Sequence, residues 1–117
     1  MKKVLFLFKK FSVCSSNFES MYYLVRAALK KNVDVAVYFD GDGIFMSMDR
    51  QTTYDSNIMP KARIKDMITA GARVFVSDPS LTLRGVNFTE LIPEGVSFIA
   101  TEQLSRMMAE DVKIICF

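Results

Sequence analysis

Ala72-Arg73-Val74-Phe75-Val76-Ser77-Asp78-Pro79-Ser80-Leu81-Thr82-Leu83-Arg84-Gly85-Val86 reads as a buried strand that stops at Ser77, a short polar loop, a helical turn and Arg-Gly-Val. The run Ala72–Val76 has the length and the flanking turn residues of a strand buried on both faces. Four more apolar runs of the same kind lie on either side of it: Val4–Phe8, Val33–Phe39, Val96–Ala100 and Val112–Phe117. Segments of helical period separate them, which is the pattern of an α/β domain built on a parallel sheet.

The clearest helix spans Asn17 to Lys31, where Phe18, Met21, Tyr22, Val25, Ala28 and Leu29 recur at steps of three and four. Ser16 and Glu19 have capping-box spacing at its start, and Asn32 closes it. A second helix is predicted from Pro60 to Ala70, ended by Gly71, with Ile64, Met67 and Ile68 inward. A third, Thr101 to Ala109, carries Leu104, Met107 and Met108, with Thr101 as its cap. Met46 to Ile58 reads as a polar, weakly periodic loop.

The chain's 117 residues suit one domain, 1–117, with a single core. Fifteen basic and thirteen acidic side chains are interspersed, so no basic stripe marks a nucleic-acid or anionic-membrane partner. Lys9-Lys10 interrupts the first apolar run well short of a signal-peptide core, and no run approaches the roughly 18 residues of a membrane span. With two cysteines and no secretory signal, a reducing cytoplasm is expected. Histidine is absent, which excludes histidine-assisted nucleophiles and histidine metal sites within the chain.

In a parallel α/β sheet, ligands and chemistry gather at the carboxyl ends of the strands. Three loops are therefore expected to share one edge: Lys9–Ser16, Asp40–Gly43 and Ser77–Gly85. The order and spacing of several motifs resemble the DsrE/DsrF-like family of small sulfur-relay proteins. They are the Lys2-Lys3-Val4-Leu5-Phe6-Leu7-Phe8 strand, the long first helix, Val37-Tyr38-Phe39-Asp40-Gly41-Asp42-Gly43-Ile44, Arg84-Gly85-Val86, and the closing Asp111-Val112-Lys113-Ile114-Ile115-Cys116-Phe117. The resemblance covers nearly the whole chain. It implies a three-layer α/β/α domain with five parallel strands in the order 4-3-2-1-5, assembled into homo-oligomers such as trimers or hexamers. A flavodoxin-like order, 2-1-3-4-5, is the alternative, and periodicity does not separate the two.

In cysteine-bearing members of that family, a strand like Ala72–Val76 ends in a persulfide-carrying cysteine eight residues before the glycine of the Arg-Gly pair. Here that position is Ser77. Sulfur transfer needs a thiolate, and a serine hydroxyl cannot carry a persulfide. The resemblance therefore implies a non-catalytic binding or scaffold subunit, with a cysteine-bearing relative or a sulfurtransferase as a possible partner.

Among the thiols, Cys14 is the candidate sulfur carrier, since it falls in the loop before the first helix, where unpaired N–H groups lower a thiol pKa. The bland reading is a small residue in a connecting loop. Cys116, inside an apolar strand, is expected to be buried and inert.

A second hypothesis is a small-anion or nucleotide-phosphate site. Ser12, Ser15, Ser16 and Asn17 precede a helix, and Ser77, Ser80 and Arg84 share the expected edge, but neither a Gly-x-Gly-x-x-Gly nor a Walker loop is present. Asp40 and Asp42 have the spacing of a cation pair, yet Asp-Gly-Asp-Gly is equally a tight turn, and no metal is expected. No cofactor motif is found. Met46, Met48 and Met59 exceed what the helix faces use and mark that segment as an expected oligomer contact.

Overall fold

The computed structural model describes residues 2–11, 16–50 and 60–117. Five strands, β1 (Lys3–Phe8), β2 (Asp34–Phe39), β3 (Arg73–Ser77), β4 (Val96–Ile99) and β5 (Lys113–Cys116), form one sheet in the order β4-β3-β2-β1-β5. Every neighbouring pair is parallel. That order excludes the flavodoxin-like alternative. The helices are α1 (Ser16–Lys30), α2 (Pro60–Thr69), α3 (Asp78–Leu83) and α4 (Thr101–Ala109), with 3-10 segments at Gly41–Ser47 and Phe88–Glu90.

Side-chain alternation divides the sheet into two unequal faces. Phe6, Phe8, Val35, Val37, Phe39, Val74 and Val76 point to one side, where Phe18, Met21, Tyr22 and Val25 of α1 and Ile64 and Met67 of α2 complete the main core. Leu5, Leu7, Ala36, Tyr38 and Ile99 point to the other, against Leu104 and Met107 of α4. At about 1.5–3 kcal/mol per fully buried large side chain, the face under α1 and α2 supplies most of the hydrophobic stabilisation.

The helix ends follow the sequence. Asn32 adopts φ +58°, and the Asn32 and Val33 amides donate to Leu29 and Ala28, closing α1. Gly71, at φ +113°, does the same for α2. The two helices are also fastened side by side. Arg63 of α2 donates to both carboxylate oxygens of Glu19 in α1 at 3.2 Å and lies 4.5 Å over the Tyr22 ring, while the Tyr22 hydroxyl donates to Asp66.

Several expectations are corrected. The Met46–Ile58 segment does not begin as a polar loop, because Ile44 and Met46 of the 3-10 segment are fully buried and join the main core. Met48 is partly buried and bridges to Leu91. The methionines Met46 and Met48 thus serve this fold, and Met59 lies outside the described residues. Met108 faces outward at 41% exposure rather than lining the core. Thr101 is the first residue of α4, not its cap; Ala100 holds the cap position, and its amide donates to the Gln103 side chain at 3.0 Å.

Cys116 is exposed, not buried. The topology explains this: β5 is an outermost strand paired only with β1, and Ile114, on the same face as Cys116, is exposed as well.

Candidate functional site

The register aligns Phe39 with Val76, so β2 and β3 end side by side, with Asp40 leaving one and Ser77 closing the other. Ser77 is 3% exposed and caps α3: its Oγ accepts the Ser80 amide at 3.2 Å, with Pro79 in the first turn, where it needs no donor of its own. The sequence folds this way because a serine before Asp-Pro supplies the cap oxygen and proline then fixes a helical φ.

Ser80, 7% exposed, is the centre of the site. Its hydroxyl donates to Asp40 Oδ1 at 2.7 Å and accepts the Gly41 amide at 3.0 Å. Its carbonyl accepts Arg84 Nη1 at 3.4 Å. Arg84 Nε in turn donates to Asp42 Oδ1 at 3.1 Å. Asp40-Gly41-Asp42 and Ser77–Arg84 are therefore stitched together across the carboxyl edge of the sheet. Gly41 takes φ +55°, which turns its N–H toward Ser80.

Tyr38, next to last in β2 and 3% exposed, points to the α4 face together with Ile99. Burial pushes the Tyr38 phenol pKa up; the nearby Ser77 hydroxyl works against this, and the charge on Asp40 adds to it. The phenol is neutral at physiological pH.

Of the residues expected in the site, Asp40, Asp42, Ser77, Ser80 and Arg84 are brought together. Ser16 is the first residue of α1, and Cys14 and Ser15 lie outside the described residues. Asp40 and Asp42 face different partners, Ser80 and Arg84, and among the described residues no group of three or more metal-ligating side chains forms. Arg84 is not simply a solvent-facing helix end, since it ties α3 to Asp42. Tyr38 was not singled out in the sequence; its one signal is a hydroxyl in an otherwise apolar Val35-Ala36-Val37-Tyr38-Phe39 strand.

Chemically, the cluster is closed. Every buried side-chain nitrogen or oxygen among the described residues has a hydrogen-bond partner. The donors an anion would need are already used internally: the Gly41 and Ser80 amides by serine oxygens, and the Arg84 Nε by Asp42. A surface groove lined by Lys2, Lys3, Val4, Asp111 and Lys113 lies at the opposite, amino edge of the sheet, away from this chemistry. None of the described helices is long and apolar enough to cross a membrane.

Comparison with known proteins bears on this architecture directly. The profile of the DsrE/DsrF-like family matches residues 2–117. Among solved structures, the YchN protein from E. coli superposes over 100% of both chains with a TM-score of 0.87 at 15% identity. MTH1491 from Methanobacterium thermoautotrophicum covers 100% of both chains with a TM-score of 0.72 at 15% identity. BT1422 from Bacteroides thetaiotaomicron covers 99% of this chain and 95% of its own, with a TM-score of 0.74 at 11% identity. At such identities the likeness is one of fold. A search of curated proteins found no significant match.

Proposed function

This chain belongs to the DsrE/DsrF-like family, and from that premise we propose that it is a non-transferring, oligomeric binding or scaffold subunit associated with sulfur relay. The observation that carries the reading is the oxygen at position 77. It stands at the end of β3, where the cysteine-bearing relatives carry sulfur, and it is spent on capping α3. A hydroxyl cannot accept a sulfane sulfur, because only a thiolate forms the S–S bond of a persulfide. The internal pairing of the same edge argues against the anion-binding alternative.

The reading places the protein in a reducing cytoplasm, beside a cysteine-bearing relative or a sulfurtransferase as partner. Its test is incubation of the protein with a cysteine desulfurase and cysteine, followed by intact-mass measurement. No gain is expected. An adduct of about 32 Da per sulfur that disappears in Cys14→Ser or in Cys116→Ser would overturn the reading and identify the carrier.

Self-assembly is supported by exposed apolar surface on the outermost strand β4 and the Phe88–Glu90 segment beside it. Phe98 is 45% exposed and Phe88 57% exposed, their ring centres 5.2 Å apart. A trimer or hexamer is expected in light scattering at micromolar concentration; a monomer there would remove the oligomeric half of the proposal.

A further inference from the structure

We infer that Ser80 is the latch of a gate over position 77: its buried hydroxyl holds α3 against the start of the Gly41–Ser47 segment and so keeps the end of β3 closed. Hydrogen bonds to four residues pass through Ser80, to Ser77, Asp40, Gly41 and Arg84. Two of them, to Asp40 and Gly41, join parts of the chain some 40 residues apart in sequence. The second tie between the same parts is the Arg84–Asp42 pair, whose carboxylate side chain is 66% exposed. Exposed ion pairs contribute little, whereas a buried hydroxyl that satisfies a carboxylate and an amide leaves both unpaired when it is lost. The latch is therefore Ser80 rather than Arg84.

Ser77 is 3% exposed and its Oγ is engaged by the first turn of α3, so the opening of α3 away from Asp40 and Gly41 is the gate's route to position 77. Ser80→Ala removes the two cross-links and keeps the backbone amide that caps on Ser77. It frees the gate without removing the helix cap. This holds whether or not the chain carries sulfur, and does not rest on the scaffold reading.

The test introduces a thiol at the gated position, Ser77→Cys in a Cys14→Ser background, and follows alkylation by iodoacetamide with peptide mass assignment. The exposed Cys116 serves as a built-in reference. Rates are compared after correction for each thiol's ionised fraction, taken from its pH profile. With Ser80 intact, the thiol at position 77 is expected to react about tenfold or more slowly than Cys116. Adding Ser80→Ala is expected to speed it about tenfold, and adding Asp42→Asn less than about threefold. A thiol at 77 that reacts as fast as Cys116 with the latch intact, or one that Ser80→Ala does not accelerate, overturns the inference. Native-state hydrogen exchange needs no introduced cysteine. Ser80→Ala alone should speed the Gly41 amide together with those of α3, and acceleration confined to α3 would equally overturn it. Sulfur loading of the unmodified chain is a separate readout, so the gate and the scaffold reading fail independently.

Discussion

Gly43→Ala is expected to destabilise the protein by about 3 kcal/mol or more, read as a large drop in the urea midpoint at unchanged slope. A β-carbon at Gly43 would stand 2.2 Å from the Phe8 carbonyl oxygen and 3.0 Å from its carbon, with Lys9 Cα at 3.3 Å. These are backbone atoms and cannot rotate aside. The Phe8 carbonyl is also held in place, because the Asp40 amide donates to it at 3.0 Å, and β1 is flanked on both sides by β2 and β5. Relief would have to come from the Gly41–Ser47 segment moving outward, which would lift the fully buried Ile44 and Met46 from the core.

Gly85→Ala is the informative comparison. Gly85 has φ +65°, so alanine there is strained, but nothing lies within 4 Å of its β-carbon position. Only the conformational cost remains, about 1–2 kcal/mol. If Gly85→Ala proves the more damaging of the two, the close approach of the Gly41–Ser47 segment to β1 is wrong.

The contrast also marks what could be read from the sequence. Five strands and the main helices were legible because apolar runs of strand length alternate with a 3.6-residue period, and that signal is local. Strand order was not in the periodicity; it came through the family resemblance. The Asp40-Gly41-Asp42-Gly43 pattern marks both glycines as turn residues, which suits Gly41 at φ +55°. Gly43 needs its hydrogen for a different reason, contact with a strand more than thirty residues earlier, and no local pattern encodes that.

The same limit applies at the site. Asp40, Ser77, Ser80 and Arg84 were recognised as sharing an edge, because strand ends and loops can be counted. That Ser80 would bind both Asp40 and Gly41 depends on the β2–β3 register. Cys116 is exposed for a reason the strand order itself contains. In the order 4-3-2-1-5, the last strand is an edge, and an edge strand's apolar residues need not be covered even when the run reads like a buried one.

Ser77→Cys is expected to turn a chain that accepts no sulfur at this position into one that accepts on the order of one sulfur atom there, seen as a gain of about 32 Da after incubation with a cysteine desulfurase and cysteine. The thiolate at position 77 would attack the outer sulfur of the donor's persulfide; a new S–S bond forms, the donor's own S–S bond breaks, and the donor cysteine departs as a thiolate. The Ser80 amide that now bonds Ser77 would favour the acceptor's charged form. Burial opposes it. Attack on a persulfide proceeds from the thiolate fraction present, so loading is expected to quicken as pH rises. Loading should be slow with Ser80 intact and faster with Ser80→Ala. The unmodified chain, treated alongside, controls for Cys14 and the exposed Cys116. A folded Ser77→Cys protein that remains at its starting mass, with its new thiol titratable after unfolding, would show that the end of β3 in this chain is not equivalent to the sulfur position of its relatives.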